Sequence, residues 1–112
     1  MSTNAFTMDG QLVNIDGDGN RVRALYYGPK HVVIITGMNK LTPSVEDAYK
    51  RIRQDACPPN CVRLGLPTPC SKTGVCGDCM SASSICDLFV TTRMSRYPDR
   101  IHIIMVGEEL GY

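Results

Sequence analysis

Two apolar stretches set the terms for any fold this chain can adopt: HVVIIT at residues 31–36 and IHIIMV at residues 101–106. Both are short, rich in β-branched residues and closed by a glycine, Gly37 and Gly107, so they read as strands rather than helices. The first is apolar without alternation, a pattern that suits a strand covered on both faces, as in a parallel sheet. Between them lie helical patterns. Strand–helix–strand order implies a layered α/β fold with right-handed crossovers.

The intervening segments carry their own punctuation. Leu12–Asp16 reads as a short strand that runs into DGDGN, a turn of residues that tolerate positive φ. Asn20 is then placed to cap a helix whose face holds Val22, Leu25 and Tyr26, and Gly28-Pro29 stops it. In the next helix Thr42 reads as the cap and Pro43 as the first residue. Glu46 and Asp47 occupy its first turn, Lys50, Arg51 and Arg53 its later part, in keeping with the helix dipole. Val45, Ala48, Tyr49 and Ile52 form its inward stripe, and Cys57-Pro58-Pro59 ends it. DLFVTTRM, from residue 87, reads as a further strand.

The 112 residues allow one domain with a single core. A net charge of +1 with no long basic run gives nucleic-acid binding no electrostatic support. The opening residues MSTNAFTMDGQ have neither the basic nor the apolar part of a signal peptide, and no apolar run is long enough to cross a bilayer. The expectation is a cytoplasmic protein with no membrane and no nucleic-acid partner.

In a reducing compartment, six cysteines point to metal binding or thiol chemistry before disulfides, although an even number leaves a disulfide framework open for an exported chain. Four of them, Cys70, Cys76, Cys79 and Cys86, follow the spacing C-x5-C-x2-C-x6-C in a segment with scattered Pro and Gly. Four thiolates on such a segment can converge on one tetrahedral metal or on the irons of a cluster, which makes these four the candidate metal ligands. The competing reading is that some are buried small apolar residues. Cys57 and Cys61 read as packing residues. A thiol nucleophile at Cys76 or Cys79 has only Lys72 nearby to favour a thiolate.

Asp16, Asp18 and Asn20 match the first three ligand positions of a calcium loop, but Arg21 and Tyr27 stand where that loop needs Gly and Glu. The turn is a structural element, or a contact for an anionic ligand through Asn20. Ligands of open α/β sheets sit beyond the carboxyl ends of the strands, which singles out Gly37–Lys40 and Gly107–Glu109. Lys40 is a candidate to hold a carboxylate or phosphate, and Glu108 to act as base or acceptor. His31 and His102 read as structural.

Taken together, DGQLVNIDGDGNRVRAL, YYGPKHVVIITGMNK, TPCSKTGVCGDC with the later Ile85-Cys86, and RIHIIMVGEELGY resemble the LUD, or lactate-utilisation, domain family in order and over nearly the whole chain. The family's TPC-x-x-TG-x-C-x-x-C segment falls on Cys70, Thr73, Gly74, Cys76 and Cys79. The resemblance implies an α/β fold of NagB/RpiA type, like sugar-phosphate isomerases and CoA transferases, present here as a partial three-layer sheet with a cysteine-rich loop. It also implies a role in oxidising L-lactate to pyruvate beside iron–sulfur proteins, with no catalytic residue carried over. Relatives extend further before the point where this sequence starts. Residues 1–112 are therefore expected to be a single, truncated LUD-like domain resembling the family's C-terminal half, with an exposed sheet edge and a protein partner or a second copy. The cysteine loop is expected to bind an iron–sulfur cluster or zinc; the alternative is a non-enzymatic binding or assembly module whose loop is pinned by structural zinc.

Overall fold

The computed structural model describes residues 1–112. Its centre is a four-stranded sheet in the order β4 (Leu41–Thr42), β1 (Ala5–Thr7), β2 (Leu12–Asp16), β5 (Leu88–Thr92). β1 and β2 pair antiparallel, with Ala5 opposite Val13; β5 continues antiparallel, with Phe89 opposite Ile15; β4 joins the far side of β1 in parallel. A second sheet consists of β3 (Val32–Gly37) and β6 (Ile101–Val106), parallel and in register from Val32–Ile101 to Gly37–Val106.

The period-2 alternation of β1 and β2 divides the core. Ala5, Val13 and Ile15 face a helical layer that contributes Ala48, Ile52, Ala56 and Cys57. Phe6 and Leu12 face the other way, against Val22, Leu25, Val32 and Ile34. The result is three layers: helix, four-stranded sheet, two-stranded sheet. Ile34 and Ile52, each fully buried, contribute roughly 2 kcal/mol apiece from apolar burial.

The helical layer departs from its sequence pattern at both ends. Helix α2 covers Val45–Arg51, and its cap is Ser44, whose hydroxyl accepts the Asp47 N–H at 3.1 Å. Thr42 is unavailable for that role because its hydroxyl donates to the Phe6 carbonyl within the β1–β4 pairing. Cys57-Pro58-Pro59 does not end the helix either. Residues 52–56 widen into a π-turn, in which the Cys57 N–H reaches the Ile52 carbonyl, and helix α3 (Cys57–Arg63) follows directly. Both prolines then sit in the first turn of α3, where a missing N–H costs little.

Two further expectations are corrected. Asn20 does not cap helix α1 (Arg23–Tyr26): its side chain accepts the neighbouring Arg21 N–H, while Asp16 accepts the Val22 N–H at 3.2 Å. The carbonyl end of α1 is held by Arg100, whose buried guanidinium donates to Ala24, Leu25 and Pro29. β3 is covered on one face only: Val32, Ile34 and Thr36 are buried, whereas Val33 and Ile35 are 44% and 48% exposed. The fold is thus α/β, but its larger sheet is mixed, and its parallel pair stands apart with one open face. His31 and His102 keep their structural role, both rings meeting the Asp99 carbonyl in the turn before β6.

Candidate functional site

Two regions gather chemistry, one on either side of the α2–α3 helix. Residues two apart on a helix point to nearly opposite sides. Arg51 accordingly reaches one region and Arg53 the other.

The first region lies where β3 ends. The chain turns through Met38–Lys40, and the C-terminal segment folds over it: the Met38 N–H donates to the Glu108 carbonyl at 3.1 Å, and the Leu110 N–H to the Asn39 side chain at 3.1 Å. A Cβ at Gly37 would come within 2.5 Å of the Leu110 nitrogen, so only glycine permits this approach. The two strand-end segments expected from the sequence are brought together, but Glu108 contributes its backbone while its side chain is exposed. Asn20 is exposed and takes no part.

Lys40 is 7% exposed, and the one hydrogen bond of its ammonium goes to the Ser2 hydroxyl at 3.3 Å. Arg51 donates to the Asn39 and Asn4 carbonyls, each at 2.9 Å. Arg21 donates to the side-chain oxygens of Asn14 and Asn4 and to the Ile15 carbonyl. Burial, followed by the nearby charges of Arg51 and Arg21, holds the Lys40 ammonium below the usual lysine range. Burial likewise lowers Arg51, partly opposed by Asp55. No carboxylate pairs with any of the three cations; the only ion pair in the structure is Arg53–Asp78.

The amide of Asn14 joins this region through Arg21. Its oxygen accepts from the Asn4 N–H and from Arg21, which fixes the orientation of the group. Its nitrogen is buried with no acceptor, and so is the Thr36 hydroxyl on β3. An unpaired buried donor costs on the order of 1–3 kcal/mol. Arg51 and Arg21 add their charge to that of Lys40, so this part of the molecule favours an anion over a cation. Arg21 and Arg51 were not legible as site residues, since Arg51 reads as an ordinary helix charge and Arg21 only as the residue that breaks a calcium-loop pattern. Asn14 carried a signal: an amide inside the strand LVNID contradicts β propensity.

The second region holds the cysteines. Cys57 and Cys61 are buried on α3, and Cys70 is buried on helix α4 (Pro69–Thr73), an element within what reads as loop in the sequence. The chain is irregular from Gly74 to Asp87. The four spacing-derived candidates each have a different neighbour. Cys70 meets the Thr68 hydroxyl at 3.4 Å, and Cys76 accepts from the Arg53 guanidinium at 3.4 Å. Cys79 approaches Ser81 at 3.9 Å, and Cys86 lies 3.5 Å from the sulfur of Cys57. No group of three or more Cys, His, Asp or Glu is arranged to hold a metal ion.

The Cys57–Cys86 contact divides the two thiols electrostatically. The contact with Cys57 brings Cys86 down to about 7, with the Arg53 charge assisting. The same contact, together with burial, pushes Cys57 well above the usual thiol range. Burial also raises Cys61. A cleft of about 450 Å³ lined by Tyr49, Lys50, Arg53 and Cys76 opens this region to solvent. A further groove, of about 1040 Å³ between Tyr26, Tyr27, Lys30, Arg93 and Tyr97, is lined by none of the candidate residues.

No helix is long and apolar enough to cross a membrane. No curated protein and no solved structure matches the chain. The sequence model of one family, the LUD domain, matches residues 1–106, which takes in the strands, the cationic region and all six cysteines. The chain belongs to the LUD domain family, which is linked to lactate utilisation.

Proposed function

We propose that this chain serves lactate utilisation, in the conversion of L-lactate to pyruvate, by holding a small 2-hydroxy or 2-oxo carboxylate at Lys40, Arg51, Arg21 and Asn14. One observation carries the reading: Arg51 and Arg21 both press their charge on Lys40 with no carboxylate paired to any of the three, and Arg21 bonds an Asn14 amide whose buried nitrogen has no acceptor. A ligand carboxylate supplies both the missing charge and the missing lone pair. Lys40 and Arg51 would orient the carboxylate, and Asn14 would select for a second acceptor oxygen beside it. The family's link to lactate supports this ligand class over phosphate. Affinity to a NagB/RpiA-type fold belongs to the same reading and draws support from the three layers.

The iron–sulfur or zinc reading of Cys70, Cys76, Cys79 and Cys86 rests on their spacing. The placement of those thiols adds nothing to it, and no step is drawn through a metal.

The test is calorimetric titration of the full chain with pyruvate, L-lactate and the neutral lactamide. Saturable binding of the two carboxylates with none of lactamide is the expected result. Equal binding of lactamide, or no binding of either acid at millimolar concentration, would overturn the reading.

A further inference from the structure

The thiol region has a geometry that carboxylate binding does not use. Cys57 and Cys86 are 29 positions apart in sequence, yet their sulfurs sit 3.5 Å apart, within contact and short of a bond. Cys57 is 7% exposed at the start of α3, on the helical core. Cys86 is half-buried and packs against that core from the irregular segment before β5. One sulfur is therefore reachable from solvent and the other is shielded behind it. That is the arrangement of an attacking and a resolving thiol.

We propose that Cys57 and Cys86 are a redox-active dithiol that closes to an intrachain disulfide on reaction with a small disulfide oxidant. The Cys86 thiolate attacks one sulfur of the oxidant, forming a mixed disulfide and releasing one thiolate. Cys57 then gives up its proton and attacks the Cys86 sulfur. The Cys57–Cys86 bond forms, the mixed disulfide breaks, and a second thiolate leaves. The protein loses two electrons and two protons, and the oxidant becomes two thiols. Arg53 donates to the neighbouring thiol, Cys76, at 3.4 Å, so a guanidinium stands beside this region.

Closure needs the two sulfurs to approach by about 1.5 Å to reach bonding distance. The irregular segment on the Cys86 side can supply that movement without disturbing a strand. The bond would tie the helical layer to the start of β5 across a long loop, so the oxidised form is expected to melt at a higher temperature than the reduced one.

The experiment uses the full reduced chain and glutathione disulfide as the probe. Free thiols are then blocked with an alkylating agent under denaturing conditions, and peptides are mapped by mass spectrometry. The expected map shows a Cys57–Cys86 cross-link as the dominant product, with Cys61, Cys70, Cys76 and Cys79 alkylated. In Cys57→Ser the mixed disulfide should accumulate at Cys86; in Cys86→Ser, Cys57 should stay reduced. Six alkylated cysteines, a cross-link between any other pair, or Cys86 held unreactive by a bound metal would overturn the proposal. The wild-type map decides the question even if a variant fails to fold.

Discussion

The cationic region and the thiol region share one helix and solve opposite problems. Around Lys40 the polar groups sit on or beside regular elements: Lys40 closes the turn after β3, Arg51 ends α2, and the neutral amide of Asn14 sits within β2. The unmet need there is for an anion. Around Cys57 the groups are neutral until they ionise, and half of them lie on an irregular segment. There the unmet need is for a bond rather than a charge. A rigid, charged setting favours recognition, and a mobile, polarisable one favours covalent exchange. The π-turn at residues 52–56 separates the two, since Arg51 precedes it and Arg53 lies within it.

The largest effect should come from the element that both regions share. Ile52→Ala removes a 1%-exposed side chain from the helix core and should cost about 3 kcal/mol, read as a lowered urea midpoint. Carboxylate binding and Cys57–Cys86 closure should weaken together. A loss confined to one region would show that the helix does not support both.

The next effect separates the regions. Arg51→Gln should weaken pyruvate binding roughly tenfold or more, the scale of a charged hydrogen bond, and leave the alkylation rate of Cys86 unchanged. Arg53→Gln should do the reverse, slowing alkylation of Cys86 while sparing pyruvate. Cross-effects of equal size would break the comparison.

Lys40 offers a pH signature. Its folded pKa lies below the ordinary 10.5, so between the two values the unfolded chain binds more protons and stability rises with pH. Pyruvate affinity should fall over the same window as the ammonium is lost. Lys40→Met should abolish both dependences and raise stability at neutral pH by about 1 kcal/mol, because a buried cation with one hydrogen bond gives way to an apolar side chain. Denaturant melts and titrations across that range, for both proteins, check the sign. The smallest effect is local: Ser44→Ala should cost about 1 kcal/mol through loss of the α2 cap and leave the chemistry of both regions intact.

What the sequence disclosed follows from where the physics is local. β2, β3, β5 and β6 announce themselves as apolar or β-branched runs, and the α2 stripe of Val45, Ala48, Tyr49 and Ile52 packs as its periodicity implies. β1 and β4, of three and two residues, have no such signal and exist through pairing with each other. The continuation of the helix through Pro58 and Pro59 depends on a π-turn that no residue type specifies. Lys40 was legible because strand ends collect ligands. Its companions Arg21 and Arg51 come from distant segments and meet it only through the fold. The cysteine spacing takes in Cys86, yet the sulfur–sulfur contact at 3.5 Å pairs it with Cys57, which lies outside that pattern and reads as packing.

The central claim is that the buried amide of Asn14 waits for a carboxylate. The direct measurement is the nitrogen–proton spectrum of the ¹⁵N-labelled chain, following the Asn14 side-chain amide while pyruvate is added. Saturable movement of that amide to the downfield position of a bonded donor, absent in Lys40→Met, is the expected result. An Asn14 amide that stays in place while pyruvate binds, or that moves equally with lactamide, would contradict the account.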